Sequence, residues 1–168
     1  MKKLLLGLLA IGLTTQFYAQ VINEGMLPEV EVRATNYKYL NSVDNSEAAV
    51  PVQLLEDMVA KFDIKSSEFY EDQSDFYRVY FYIPDGMIVA AYDRDGKILY
   101  TIEKFKDIAL PYSVASSIAE KFPKWTIAKD VYKVSYTADQ PAKKSYKIVL
   151  KNGKKTIRIK VDEEGEVL

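Results

Sequence analysis

The sequence predicts an α+β fold: two tandem repeats of one helix followed by an antiparallel β-meander, with the helices packed on one face of the sheet. Three observations lead there. LPYSVASSIAEKFPKW, Leu110 to Trp125, is a near copy of VPVQLLEDMVAKFDI, Val50 to Ile64, with Pro111, Lys121 and Phe122 falling on Pro51, Lys61 and Phe62. Each helix-like segment leads into strand-rich sequence of period two. Each strand-rich stretch then closes on a Gly turn, YDRDGKIL from Tyr92 and VDEEGEVL from Val161.

The chain opens Met1-Lys2-Lys3, runs through LLLGLLAIGL from Leu4 to Leu13 and then turns polar. That order of charged, apolar and polar regions reads as a secretory signal, residues 1–19, cleaved after Ala19. The apolar run is shorter than the ~20 residues that span a bilayer, and no later stretch stops transfer. The expectation is therefore an exported protein, periplasmic or secreted, with no stable membrane insertion after cleavage. Of 168 residues, 149 remain, enough for one domain or for two small repeats sharing a core. With no cysteine there is neither a disulfide framework nor a lipidated thiol, so stability has to come from burial and strand pairing.

Residues 20–49 read as a lead-in. PEVEVRA, Pro28 to Ala34, alternates Val30 and Val32 with charged neighbours, the pattern of a short edge strand. Asn36 to Glu47 is polar, shows no helical stripe and is read as loop.

The first repeat is placed at 50–109. Its helix begins near Pro51, whose fixed φ suits a first turn, and carries Val52, Leu55, Met58, Val59 and Phe62 as one apolar stripe. A short strand follows at Ser67 to Tyr70. Asp75 to Ile83 is the clearest strand, with Tyr77, Val79, Phe81 and Ile83 inward and Phe76, Arg78, Tyr80 and Tyr82 outward. Asp85-Gly86 is a two-residue hairpin signal that pairs Ile83 with Ile88 and Tyr82 with Val89 and sets Arg78 opposite Asp93. At Asp93-Arg94-Asp95-Gly96, a three-residue loop with Gly96 left-handed sends Ile98, Tyr100 and Ile102 inward and Leu99, Thr101 and Glu103 outward. The alternative buries Glu103, which is costly without a partner.

The second repeat is placed at 110–168. Pro111, Ala115, Ile118 and Phe122 make its helical stripe, and Pro123 stops the helix. Tyr132, Val134 and Tyr136 point inward against Lys133 and Ser135. Ala138 to Lys144 reads as a loop, and Asn152-Gly153 as a hairpin turn. Tyr146, Ile148, Leu150, Ile157, Ile159 and Val161 then fall on the inner face, leaving Lys147, Val149, Thr156, Arg158 and Lys160 outside.

Charge is unevenly placed. Residues 20–110 carry 17 acidic and 9 basic side chains, net −8, and residues 111–168 carry 7 and 12, net +5. Such a dipole can steer a charged partner or align two copies; it also arises as ordinary solvated surface.

No His and no Cys are present, which removes Ser-His-Asp and Cys-His nucleophiles and the usual zinc sites. No Gly-rich phosphate loop occurs either. Asp93, Asp95 and Asp162 to Glu164 are available carboxylates, but they sit in turns that ordinarily require such residues. Neither a catalytic residue nor a metal site nor a cofactor is assigned. Binding falls instead to the outward faces: Arg78, Tyr80, Tyr82, Val89 and Leu99 form an apolar, Tyr-rich set with one Arg, the side chains that anchor interfaces. Lys133, Lys147, Arg158 and Lys160 form a secondary basic face, suited to an acidic partner or an anionic glycan. The lead-in or the other repeat is an alternative cover for the aromatic set.

VPVQLLEDMVAKF with YDRDGKIL, and LPYSVASSIAEKFPKW with VDEEGEVL, resemble the PepSY-like, β-lactamase-inhibitor-protein-like family of exported repeat proteins over about Val50 to Leu168. That resemblance implies tandem α/β repeats whose helices back a sheet with an open concave face, in proteins that bind or inhibit rather than catalyse. Asp162-Glu163-Glu164-Gly165 departs from the family's Asp-x-Asp-Gly turn. The expected function is a non-catalytic binding or inhibitory module for a protein or envelope polymer. A carboxylate-dependent hydrolase of an extracellular polymer and a self-associating envelope protein are the alternatives. Nucleic acid is disfavoured by export and by the absence of net basic charge.

Overall fold

The computed structural model describes residues 36–43 and 47–168, all within the unit Arg33–Leu168. The signal segment 1–19 and the strand expected at 28–34 lie outside the described residues. The elements are α1 (Tyr37–Val43), α2 (Val50–Lys61), β1 (Phe76–Ile83), β2 (Gly86–Asp93), β3 (Ile98–Lys106), α3 (Tyr112–Lys121), β4 (Thr126–Thr137), β5 (Gln140–Asn152) and β6 (Lys155–Val161). The six strands form one sheet in chain order, every neighbouring pair antiparallel. The architecture is α+β.

Helix α2 carries Pro51 in its first turn and buries Val52, Leu55, Val59 and Ala60. Met58 is a correction: it is 56% exposed, because the stripe turns toward Glu56 and Ala60 instead. Helix α3 buries Val114 and Ile118, with Ala115 only half-buried. Helix α1 is a second correction, since a loop was expected there. Tyr39 and Val43, four residues apart, put two apolar side chains on one face and are both buried. Nor is there a strand at 67–70. The hydroxyls of Ser66 and Ser67 donate to the carbonyls of Asp63 and Ile64, three residues back, at 3.1 and 2.6 Å, which holds that segment in turns.

Three registers differ from expectation. Ile83 pairs with Gly86 and Arg78 with Ala91, so the β1–β2 loop is Pro84-Asp85 and Arg78 does not face Asp93. Gly86 is needed inside the strand: a Cβ there would lie 2.3 Å from the Phe105 ring. At the next turn Gly96 is left-handed as expected, with φ 81°, yet the faces of β3 are reversed beyond it. Ala91 pairs with Tyr100 but Tyr92 with Ile98, so Leu99 is the extra residue of a β-bulge. Ile98 therefore points inward as expected, while Thr101 and Glu103 are buried and Ile102 is 57% exposed. Third, Thr137 pairs with Gln140, which shortens the expected 138–144 loop to Ala138-Asp139. Pro141 is tolerated because β6 pairs with β5 only from Tyr146 onward, leaving the start of β5 without a second neighbour.

In β4, β5 and β6 the inner face is the expected one, with Tyr132, Val134, Tyr136, Tyr146, Ile148, Leu150 and Val161 buried. The rings of Tyr132 and Tyr146 stack at 4.6 Å, and Phe62 meets Phe81 edge-on at 5.3 Å. The helices contribute to this same core cluster through Tyr39, Leu55, Val59, Val114 and Ile118. Burying each such side chain stabilises the fold by roughly 1.5–3 kcal/mol. The opposite face of the sheet, away from this core, is turned to solvent, with Tyr80, Tyr82 and Ile102 exposed on it.

Candidate functional site: the outward sheet face

The registers place outward side chains in rows across the strands. Arg78, Ala91, Tyr100 and Thr137 form one row, and Tyr80, Val89, Ile102 and Ser135 the next. Tyr82, Met87, Lys104 and Lys133 form a third, and Lys106, Val131, Lys147 and Lys160 a fourth. Along these rows the face changes from aromatic and apolar on β1 and β2 to basic on β4 to β6.

On the aromatic half, the rings of Tyr80 and Tyr82 lie 6.3 Å apart and within 10° of parallel. Both are solvent-facing, at 50% and 66% exposure. Period-two spacing on one strand produces this: residues two apart share a face. Arg78 Nε donates to the Tyr100 hydroxyl at 3.2 Å. That hydrogen bond first, then attraction to the same group and a lesser contribution from Tyr80, raises the guanidinium above its ordinary value. Arg78 is thereby tied between two tyrosines.

Of the residues expected in this set, Arg78, Tyr80, Tyr82 and Val89 come together. Leu99 does not align with them. It is the bulged residue, half-buried, and its carbonyl accepts from Ala138 N at 2.9 Å. Tyr100 and Ile102 take the outward places instead. The sequence signal for that exchange is faint, because Ile98 to Ile102 reads as alternating apolar in either register.

On the basic half, Lys133, Lys147, Arg158 and Lys160 all fall at outward ladder positions. Lys104 joins them through the β3 reversal and Lys143 through the early start of β5. Five lysines, 104, 133, 143, 147 and 160, line a shallow concavity of about 380 Å³. Among the described residues, the carboxylate at an outward ladder position is Asp93, at the far end of β2. Its Oδ1 accepts from the Asp95 and Lys97 amides, both at 2.9 Å.

The second acidic turn is built alike. Asp162 Oδ1 accepts from the Glu164 and Glu166 amides at 3.1 and 2.7 Å. Among the described residues no group of three His, Cys, Asp or Glu gathers as a metal would need, and no helix is long and apolar enough to cross a membrane. On the helix side, an apolar groove of about 800 Å³ runs along Val50, Leu54, Met58, Ile83, Pro84 and Ile108.

A cluster of polar groups that sequence reasoning missed lies under the sheet. Glu103, 1% exposed, accepts on Oε1 from Tyr39 at 2.9 Å and from Thr101 at 2.7 Å. Burial pushes its carboxyl up, opposed by hydrogen bonds with Thr101, Tyr39 and Glu56 and by the charge of Lys144. Lys144 itself is paired with Glu163 at 3.1 Å.

No protein family matches the chain, and no curated protein matches it. Among solved structures, a BLIP-like protein from Bacteroides fragilis NCTC 9343 is similar at 17% identity, over 58% of this chain and 68% of that one, with a TM-score of 0.33. A likeness of that size carries no functional argument.

Proposed function

We propose that this chain is an exported, non-catalytic binding or inhibitory module that recognises a protein or envelope polymer through the outward face of its sheet. One observation carries the reading: Tyr80 and Tyr82 stand exposed and parallel beside Arg78, Val89, Tyr100 and Ile102, so the face has large rigid contact area with polar tips. An exposed apolar patch bordered by polar groups is the usual mark of an interaction site. Asp93 and Asp162 accept turn amides, so turn formation accounts for these two carboxylates without a catalytic role. In this proposal residues 1–19 direct export to the periplasm or beyond. The succession of one helix and three strands, twice over, supports reading 50–109 and 110–168 as two PepSY-like repeats.

The test is a crosslinking pulldown from the source envelope with the wild-type chain and a Tyr80→Ala, Tyr82→Ala double variant of verified fold. Both side chains are exposed, so folding is expected to be unchanged and at least one specific band to disappear. Identical recovery by both proteins would sink the sheet-face reading.

A further inference from the structure

We infer that the concavity over β3 to β6 is a binding site for an anionic polysaccharide, laid across the lysines with its sugar rings reaching the Tyr80–Tyr82 platform. The inference deepens the sheet-face reading above by naming the class of partner.

The lysines lie at outward positions of four adjacent strands: Lys104 on β3, Lys133 on β4, Lys143 and Lys147 on β5, and Lys160 on β6. Strands sit about 4.8 Å apart and same-face neighbours about 6.8 Å apart along a strand. At such spacings ammonium groups repel unless counter-charge is supplied. None of the five has an ion pair with a described residue, whereas Lys61, Lys65, Lys121 and Lys144 each do. Ser135 and Ser145 line the same hollow and add hydroxyl groups. Glu103 also borders the hollow but is only 1% exposed, so the face holds a compact positive field without ion pairing among the described residues, with hydroxyl groups on its floor.

Two features favour a polymer of repeating charge over a folded acidic protein. Lysine is depleted from the centres of protein interfaces, yet it makes up this centre. Lysine is also a mobile, strongly hydrated point charge rather than a planar fork for one fixed carboxylate, so a row of five reads charge density, not a single group. The aromatic platform supplies what a bare polyanion does not use. Parallel tyrosine rings on the same face, continuous with Lys104 and Lys133 through the Tyr82 row, offer a flat apolar surface for the C–H face of a sugar ring.

Binding of the purified full chain to polygalacturonate and dextran sulfate, against uncharged dextran, is measured by interferometry at 50 and 200 mM salt. Wild type is expected to bind both charged polymers, to ignore dextran and to weaken with salt, because exposed charges are screened. Lys133→Gln, Lys147→Gln, Lys160→Gln together should weaken binding about tenfold or more at low salt, as loss of local counter-charge requires. A control triple of equal charge change off the hollow, Lys124→Gln, Lys154→Gln, Lys155→Gln, should lose less than a third of that effect, and Tyr82→Ala should weaken both polymers. Equal losses in the two triples, tighter binding to poly-glutamate or to a single-stranded oligonucleotide, or no binding to either charged polysaccharide would each overturn the inference. If the envelope pulldown still yields a Tyr80/Tyr82-dependent band in those cases, the broader sheet-face reading stands without it.

Discussion

A carboxyl group at 1% exposure, as Glu103 is, has to be neutral or well matched, since an isolated buried charge is too costly to keep. Its partners explain how the chain tolerates it: two hydroxyl donors, the Glu56 carboxyl and the Lys144 charge. Burial still wins, and the folded value lies above the ordinary one of about 4.3. Asp130 behaves alike, pushed up to about 6, first by burial and opposed by a hydrogen bond from the Ile108 amide. For a raised acid the folded state holds the proton more tightly, so the stabilisation is complete below the unfolded value and is lost as pH rises through the folded one. Asp130 acts between about 3.9 and 6, and the Glu103 contribution begins to fall from about 4.3 upward. Glu103→Gln keeps the size and an acceptor oxygen but cannot titrate. Urea midpoints from pH 4.5 to 7.5 are expected to fall less steeply with pH in the variant than in wild type. Parallel profiles would mean that Glu103 does not titrate in this range.

At the scale of elements, glycines separate backbone demands from packing demands. Gly153 and Gly165 both have positive φ, 57° and 83°. Around Gly153 there is open space, whereas a Cβ at Gly165 would lie 2.6 Å from Ser117 Cβ on α3. Gly153→Ala should therefore cost only the left-handed strain, about 1–2 kcal/mol, and Gly165→Ala that amount plus about 1–3 kcal/mol of overpacking. Equal losses in chemical denaturation would show that α3 yields freely at this contact. The acidic turn at Asp162 was legible in the sequence, but its service as a seat for α3 was not, because that depends on a contact 48 residues away through Ser117 Oγ and Gly165 O. The same distinction runs through the sheet. Faces of β4 to β6 were readable because Lys and Arg alternate with Tyr, Ile and Val, so one register alone leaves the charges in water. In β3 both faces read as apolar only as far as Tyr100, and a single extra residue at Leu99 reversed everything after it. Half of the outward face followed from that reversal: Tyr100, Ile102 and Lys104 were assigned inward or not at all, while the outward placement of Arg78, Tyr80 and Tyr82 was legible from an unambiguous strand.

For the molecule as a whole, the question is whether the two helix-plus-three-strand halves unfold separately. Seven residue pairs join β3 to β4, from Tyr100–Thr137 to Lys106–Val131, making one continuous sheet out of the two meanders. Helix α1 adds a clasp on the inner side. Asn36 just before it donates to the carbonyls of Ala60 and Gly96 and accepts from the Ile98 amide, binding α2 to the β2–β3 turn. Farther along α1, Tyr39 packs edge-on against Tyr136 of β4 at 5.3 Å, and Ser42 Oγ accepts from the Ala142 amide of β5. A seven-residue helix thus touches both halves, and losing either half exposes its buried Tyr39 and Val43. The chain has one tryptophan, Trp125, packed partly buried against the core at the start of the second half. Its fluorescence reports on that half, while far-UV circular dichroism reports on every strand. Coincident urea transitions by the two probes are expected, because a shared ladder and a shared core leave no half able to melt alone. Asn36→Ala should lower the common midpoint by removing a buried acceptor and two donors at once, each worth about 1–3 kcal/mol when its partner is left unsatisfied. Trp125 melting apart from the circular dichroism signal in wild type would instead make the halves independent repeats, each stable without the β3–β4 seam.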